Sequence, residues 1–174
     1  MRVRIRFLYD EGEMVETTRT SIRSAMRQLA RHMYTDMVLN YLSGQALKVR
    51  SGTLRRSVRE LYEERGNRIY AGVVFGVRYA KTHIGRKGTY TEITPKRARF
   101  LAVPTQHART PAGVSRYKSP RDIPDTFIRD GVIYQRTPRG AVPMYVLKRK
   151  VRIPRRIDPV EFLERAKKKL RELL

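Results

Sequence analysis

The chain contains no cysteine and no tryptophan. Without thiols, a disulfide framework, thiolate metal sites and cysteine nucleophiles are excluded, while the compartment stays open. No stretch approaches the roughly 18–20 consecutive apolar residues that cross a bilayer. The first residues, MRVRIRFLYDEGE, alternate basic and apolar and then turn acidic, unlike the apolar core of a signal peptide. The expectation is a protein made in the cytoplasm and used there, or carried out of it inside an assembly. Carboxylates are also scarce: 16 Asp+Glu stand against 39 Lys+Arg, a formal net charge of +23.

Arginine supplies 29 of those cations, and its planar five-donor fork suits phosphate and carboxylate. Sixteen acids cannot pair with 39 bases, so an anionic partner, nucleic acid or an acidic subunit, is one reading of the surplus. A solvated, arginine-rich surface is the other. With 174 residues, 40% of them apolar, the chain has the material for one α+β domain spanning 1–174. Loop 105–125 and a C-terminal helix over 159–174 are expected as its extended arms.

Along the chain, Val3, Ile5 and Phe7 alternate with Arg2, Arg4 and Arg6, which predicts a half-buried strand with a basic outer face, ended by Asp10-Glu11-Gly12; an edge strand blunted by charge is favoured over arginines that track a phosphate backbone. Ile22, Ala25, Met26, Leu29, Met33, Met37 and Tyr41 fall at helical steps, predicting a helix over 18–42 capped by Thr18 or Thr20. Leu54, Val58 and Leu61 predict a short helix from Ser51-Gly52-Thr53 to about Glu64, with Gly66-Asn67 breaking it. Strict alternation from Ile69 to Tyr79 predicts a long strand, followed by a polar turn over 84–92 and a strand over 98–104. Residues 105–125 have no period. Phe127–Gln135 reads as a hairpin turning at Asp130-Gly131, Thr137–Gly140 as a turn, and Val142–Ile153 as a final long strand. Asp158-Pro159 starts a last helix with Phe162, Leu163, Ala166, Leu170 and Leu173 on one face and with Glu161–Arg165 and Glu164–Lys168 as four-residue pairs. Lys167, Lys168 and Lys169 read as a solvated face near its end. The architecture expected is α+β: mostly antiparallel sheet packed against a long N-terminal and a C-terminal helix, with long hairpins and loops.

No catalytic pattern accompanies these elements. His32, His83 and His107 lack neighbours at metal-ligand spacing, and no HExxH, GxSxG, Walker loop or GxGxxG occurs. Asp122 and Asp125 are paired acids without the third that a two-metal nuclease needs. Neither a catalytic residue, nor a metal site, nor a cofactor is expected, and no motif for reading base sequence is present. Contact with phosphates or an acidic partner is expected at Arg109, Arg116, Lys118 and Arg121 in the loop. The same is expected at Lys148, Lys150, Arg152, Arg155 and Arg156 along the last strand and its exit. Lys148, Lys150 and Arg152 are two apart and would share one strand face.

Several segments occur in a telling order: Leu47–Ser57, then Tyr79-Ala80 with His83 and Gly85, Ile93-Thr94-Pro95-Lys96, Leu101-Ala102-Val103-Pro104, Ser119–Asp122 with Phe127, Met144–Leu147, and Val151–Arg156. In that order and spacing the chain resembles the neck or tail-completion (head–tail joining) proteins of tailed bacteriophages, in the Mu-like virion-morphogenesis group. Two positions depart from the family pattern: Ile84 stands where an acid is usual, and the exit reads Arg156-Ile157-Asp158-Pro159. The resemblance implies a structural virion protein without an active site, assembled in the host cytoplasm. Such subunits form a ring, expected to be hexameric, between head connector and tail; non-specific contact with packaged DNA is compatible with this, but much of the charge is expected to face other proteins, since many fixed phosphate contacts would brake the passage of DNA. Segments 84–92, 105–125 and 136–143 would reach neighbours, and strand 142–153 could pair with a neighbour's sheet edge. A ring of six would carry six times +23, which calls for DNA in the lumen or acidic partner rings. The alternative is a non-specific nucleic-acid-binding basic protein, associated with the ribosome or with DNA.

Overall fold

The computed structural model describes residues 3–10 and 16–174. It is α+β, with antiparallel sheets, a long N-terminal helix and a C-terminal helix. The chain divides into two compact units: one runs to Tyr90 and resumes at Pro154, and the other is Thr91–Ile153.

The first unit is built on strand β1 (Val3–Asp10), helix α1 (Glu16–Asp36), the single-turn helix α2 (Thr53–Arg56), β2 (Val58–Arg65), β3 (Arg68–Phe75) and, from the far end of the chain, helix α3 (Pro159–Leu173). The sheet order is β1-β3-β2, so β1 is an edge strand as its alternation predicts. Ile69, Ala71, Val73 and Phe75 are all buried, which is the period of two expected of a strand with one covered face. Helix α1 covers that face with Ile22, Ala25, Met26, Leu29, Ala30 and Met33. It begins at Glu16, so Thr18 and Thr20 lie inside it rather than capping it. Helix α3 completes the core with Phe162, Ala166 and Leu170, so the segment expected as an arm is part of the packed body. Its start is as the sequence dictates: Asp158 accepts a hydrogen bond from Val160 N at 2.9 Å, and Pro159 takes the first position, where no N–H is missed.

At its end α1 widens into a π-turn over Met37–Tyr41, with Leu42 N donating to Met37 O at 3.2 Å. Met37 and Tyr41 are both buried in this turn, and so is Asp36 ahead of them. Asp36 accepts from Arg165 of α3 at 2.7 Å, which ties the two helices, and from the Asn40 amide at 2.6 Å. The pairs that form are Arg165 with Asp36 and Glu164 with Lys167, where the sequence spacing suggests Glu161–Arg165 and Glu164–Lys168.

The helix expected over 51–64 is a correction. Only Thr53–Arg56 is helical, and the chain then enters β2, which pairs with β3 from Val58↔Phe75 to Arg65↔Arg68 around a two-residue Gly66-Asn67 loop. Leu54, Val58 and Leu61 do fit helical spacing, but a full ladder of backbone pairs outweighs a weak local preference. The long strand expected to Tyr79 ends at Phe75, and Arg78–Thr82 forms a 3₁₀ turn.

The second unit contains β5 (Leu101–Pro104), β6 (Thr126–Arg129), β7 (Val132–Thr137) and β8 (Gly140–Lys148) in the order β5-β8-β7-β6. Ahead of them, β4 (Tyr90–Ile93) pairs with β9 (Val151–Pro154) as a two-stranded ribbon. The expected strand over 142–153 is thus two strands in two sheets, broken at Arg149-Lys150. Because β8 lies between β5 and β7, it offers no edge to a neighbour; the edges of its sheet are β5 and β6. The strand expected over 98–104 is confined to Leu101–Pro104. The β6–β7 hairpin turns at Asp130 (φ +49°) and Gly131 (φ +73°), the double positive φ of a type I′ turn. Between Ile133↔Tyr145 and Tyr134↔Pro143 the register slips, leaving Met144 as a bulge next to a proline that cannot donate to the ladder. Its core is small: Ala108, Ile123, Ile133, Met144 and Tyr145.

Candidate anion-contact surfaces

Loop 105–125 is held in place at both ends by burial of Ala108 and Ile123. Within it, residues 108–116 form a tight bend. Thr110 N donates to Val114 O at 2.8 Å, Arg116 N to Ala108 O at 2.9 Å, and Ser115 Oγ bonds Tyr145 Oη at 2.9 Å. The bend brings two of the expected contact residues together: Arg116 Nε donates to the Arg109 carbonyl at 2.8 Å. Arg109 is half-buried, and its Nε is buried without a hydrogen-bond partner. That is an unmet donor in a cationic setting. Lys118 and Arg121 are exposed. Arg121 sits in a capping box: its N–H reaches Ser119 Oγ at 3.2 Å, and Ser119 N donates to Asp122 at 2.8 Å. Asp122 is thereby engaged in closing a turn.

The strand-face expectation for Lys148, Lys150 and Arg152 does not hold. Lys148 ends β8 opposite Leu101, whereas Lys150 and Arg152 converge on Glu92, each at 3.3 Å. Hydrogen bonds from Arg152 and then Lys150 hold the Glu92 carboxyl below its ordinary range. The chain break at Arg149-Lys150 separates what a continuous strand would have aligned.

Arg155 and Arg156 belong to the first unit, where the exit segment meets the 79–85 segment. Arg156 N and Ile157 N donate to the His83 carbonyl at 2.9 and 3.0 Å, and Gly85 N donates to Ile157 O at 2.9 Å. Arg156 Nη1 reaches the Ala46 carbonyl at 3.1 Å. Arg155 lies across Gly85, whose φ is +148°. A Cβ there would stand 2.5 Å from Arg155 Cδ, so only glycine fits. His83 Nδ1 is buried without a partner, and burial, then the charges of Arg156 and Arg50, push its pKa below 6.5.

The basic face of the first strand, read from the sequence alone, is part of a larger cationic surface that the sequence did not reveal, the face of β1-β3-β2 opposite α1. Residues paired across antiparallel strands share a face. The register therefore places Arg4, Arg6, Arg59, Arg65 and Arg68 on it, with Tyr70 and Glu63. Arg6 lies 5.0 Å and Arg65 6.0 Å from the Tyr70 ring centroid. Glu63 contacts Arg65 at 2.8 Å and Arg4 at 3.8 Å. The alternation of Arg4 and Arg6 was visible in the sequence, but the helix assigned to 51–64 hid Arg59 and Arg65. Among the described residues, no group of three or more His, Asp or Glu is placed to hold a metal ion. No described helix is long and apolar enough to cross a membrane. Compared with family models, with curated proteins and with solved structures, the chain matches none.

Proposed function

We propose that this protein is a structural component of a tailed-phage virion: a ring-forming neck or tail-completion subunit that joins the head connector to the tail and acts by geometry rather than by catalysis. The observation that carries this reading is the pairing of the segments behind the resemblance. Leu101–Pro104 lies alongside Tyr145–Lys148 in one sheet, and His83–Gly85 is bonded to Arg156 and Ile157. Segments far apart in the chain and singled out as a pattern thus form two local junctions, as parts of one scaffold would. The small five-residue core of the second unit, carrying hairpins and an ordered loop rich in exposed cations, suits a body that contacts neighbours. The partners in this reading are further copies of the chain, neighbouring connector and tail proteins, and packaged DNA. The charge surplus also favours the second reading, a non-specific nucleic-acid-binding protein.

Light scattering after size exclusion, at low and high salt, tests the first against the second. A closed oligomer near six times the 20.4 kDa protomer mass is the expected result. A monomer at both salts that binds duplex DNA with a steep salt dependence would replace it with the second reading.

A further inference from the structure

We propose that the outer face of the β1-β3-β2 sheet is a binding surface for the phosphate backbone of nucleic acid, with arginine forks held in position by Tyr70. The face carries Arg4, Arg6, Arg59, Arg65 and Arg68 against one described carboxylate, Glu63; Asp10 stands opposite Arg68 by register. All five cations are arginine, although lysine is also available to this chain. Arginine is the residue whose planar donors grip phosphate oxygens in pairs.

Spacing decides between anions. From the Arg4–Val74 row to the Arg68 row is six residues, about 20 Å at ~3.3 Å per residue, and three strands span about 10 Å. One strand of a duplex presents about six phosphates along 20 Å at ~3.4 Å per phosphate. An acidic helix would present about four carboxylates there, even with one on every ~5.4 Å turn of the same face. Five guanidiniums are better matched by the denser polyanion. Tyr70 supplies the order: two of the five arginines lie within 6.0 Å of its ring centroid, so their donor edges are directed before a partner arrives. Glu63 restrains Arg65 and Arg4 in the same way. Tyr70 is thus a positioning residue. The inference does not depend on ring formation, since it concerns a surface of the single chain.

The test is anisotropy of a fluorescein-labelled 24-base-pair duplex titrated with the full chain between 50 and 300 mM KCl. The variant Arg6→Gln/Arg59→Gln/Arg68→Gln leaves the Glu63 contacts in place. It should lower the slope of log K against log[KCl] by about 2.7, at ~0.9 per phosphate contact, and weaken binding by about a hundredfold near 150 mM. The comparison variant Lys167→Gln/Lys168→Gln/Lys169→Gln removes the same charge from α3 and should change the slope by less than about one. Tyr70→Leu keeps every charge and should weaken binding about tenfold with the slope unchanged. Circular dichroism checks the fold; where the triple variant does not fold, Tyr70→Leu and Arg4→Gln/Arg65→Gln carry the test. Equal losses from the sheet and α3 variants would overturn the proposal in favour of diffuse charge. So would unchanged affinity in Tyr70→Leu together with Arg4→Gln/Arg65→Gln, failure of the native chain to bind duplex at 50 mM, or poly-glutamate competing as well as DNA per charge.

Discussion

Removing Arg165 should destabilise the protein more than neutralising the aspartate it pairs with. Asp36 is 6% exposed and accepts hydrogen bonds from Arg165 at 2.7 Å and Asn40 at 2.6 Å, while the Arg165 side chain is 46% exposed. In Arg165→Met the carboxylate stays buried with the Asn40 amide as its remaining partner. Stranding a fully buried charge costs about 3–5 kcal/mol. Because water can enter where the half-exposed guanidinium stood, about 2–3 kcal/mol is expected here. In Asp36→Asn no charge is stranded, since Arg165 can turn to solvent, and the loss is one charge-assisted hydrogen bond, about 1 kcal/mol. The double variant should cost little more than Asp36→Asn, giving a coupling of about 2–3 kcal/mol. For a chain of this size each kcal/mol moves the melting temperature by about 2–4 °C, so Arg165→Met should melt about 5–10 °C lower. Urea unfolding of the four proteins measures the cycle. Additive costs, or Asp36→Asn at least as damaging as Arg165→Met, would refute the view that the buried carboxylate sets the penalty.

Gly85→Ala should destabilise by about 1–3 kcal/mol, because the backbone conformation is strained for any Cβ and Arg155 occupies its place. Gly131→Ala, near the left-handed region at φ +73° and with open space around it, should cost less in the same urea titration. His83 has a lowered pKa in the folded chain, so the unfolded chain takes up its proton first as pH falls. Its contribution is fully present above 6.5 and is lost as pH drops from there toward the folded value. His83→Gln should therefore flatten the fall in melting temperature between pH 7.5 and 5.5. With 39 basic and 16 acidic residues, self-repulsion should make KCl stabilising, so that melting temperature rises between 0.05 and 0.5 M; a fall would show that ion pairs dominate.

What the sequence revealed best was what repeats over many residues. The period of α1 and the alternation of β3 each involve a long run of positions that must agree, and the Asp158-Pro159 and Asp130-Gly131 signals act within a few residues of where they stand. The failures lie where a distant partner decides. Leu54, Val58 and Leu61 satisfied a helix until β3 supplied a ladder for Val58–Arg65. Val142–Ile153 alternated as one strand, but β7 and β5 claim its first half and β4 its last, so the chain breaks between them. That break also undid the common face of Lys148, Lys150 and Arg152. The arginines on the outer sheet face were each visible, but only the register of three strands makes them neighbours.

The carboxylates explain why so much positive charge faces outward. Several join parts of the chain that lie far apart: Asp36 meets Arg165, Asp158 accepts Lys87 N at 2.9 Å, Glu92 holds Lys150 and Arg152, Glu64 meets Arg23 at 3.3 Å, and Glu63 meets Arg4. Asp122 closes a turn. An acid fixed at such a joint neutralises one or two local cations and cannot serve the rest of the surface. The remaining arginines cannot be balanced from within, because 16 acids are all that the chain has. Folding gathers them onto the outer sheet face, into the 108–121 loop and around His83, where the repulsion of one for another grows as they approach. A surface of that kind is tolerable where an external anion offsets it. The ring proposed above, threaded by DNA, would supply one, and so would a duplex lying along the outer sheet face; salt stabilisation and the duplex titration are the measurements that register such an anion.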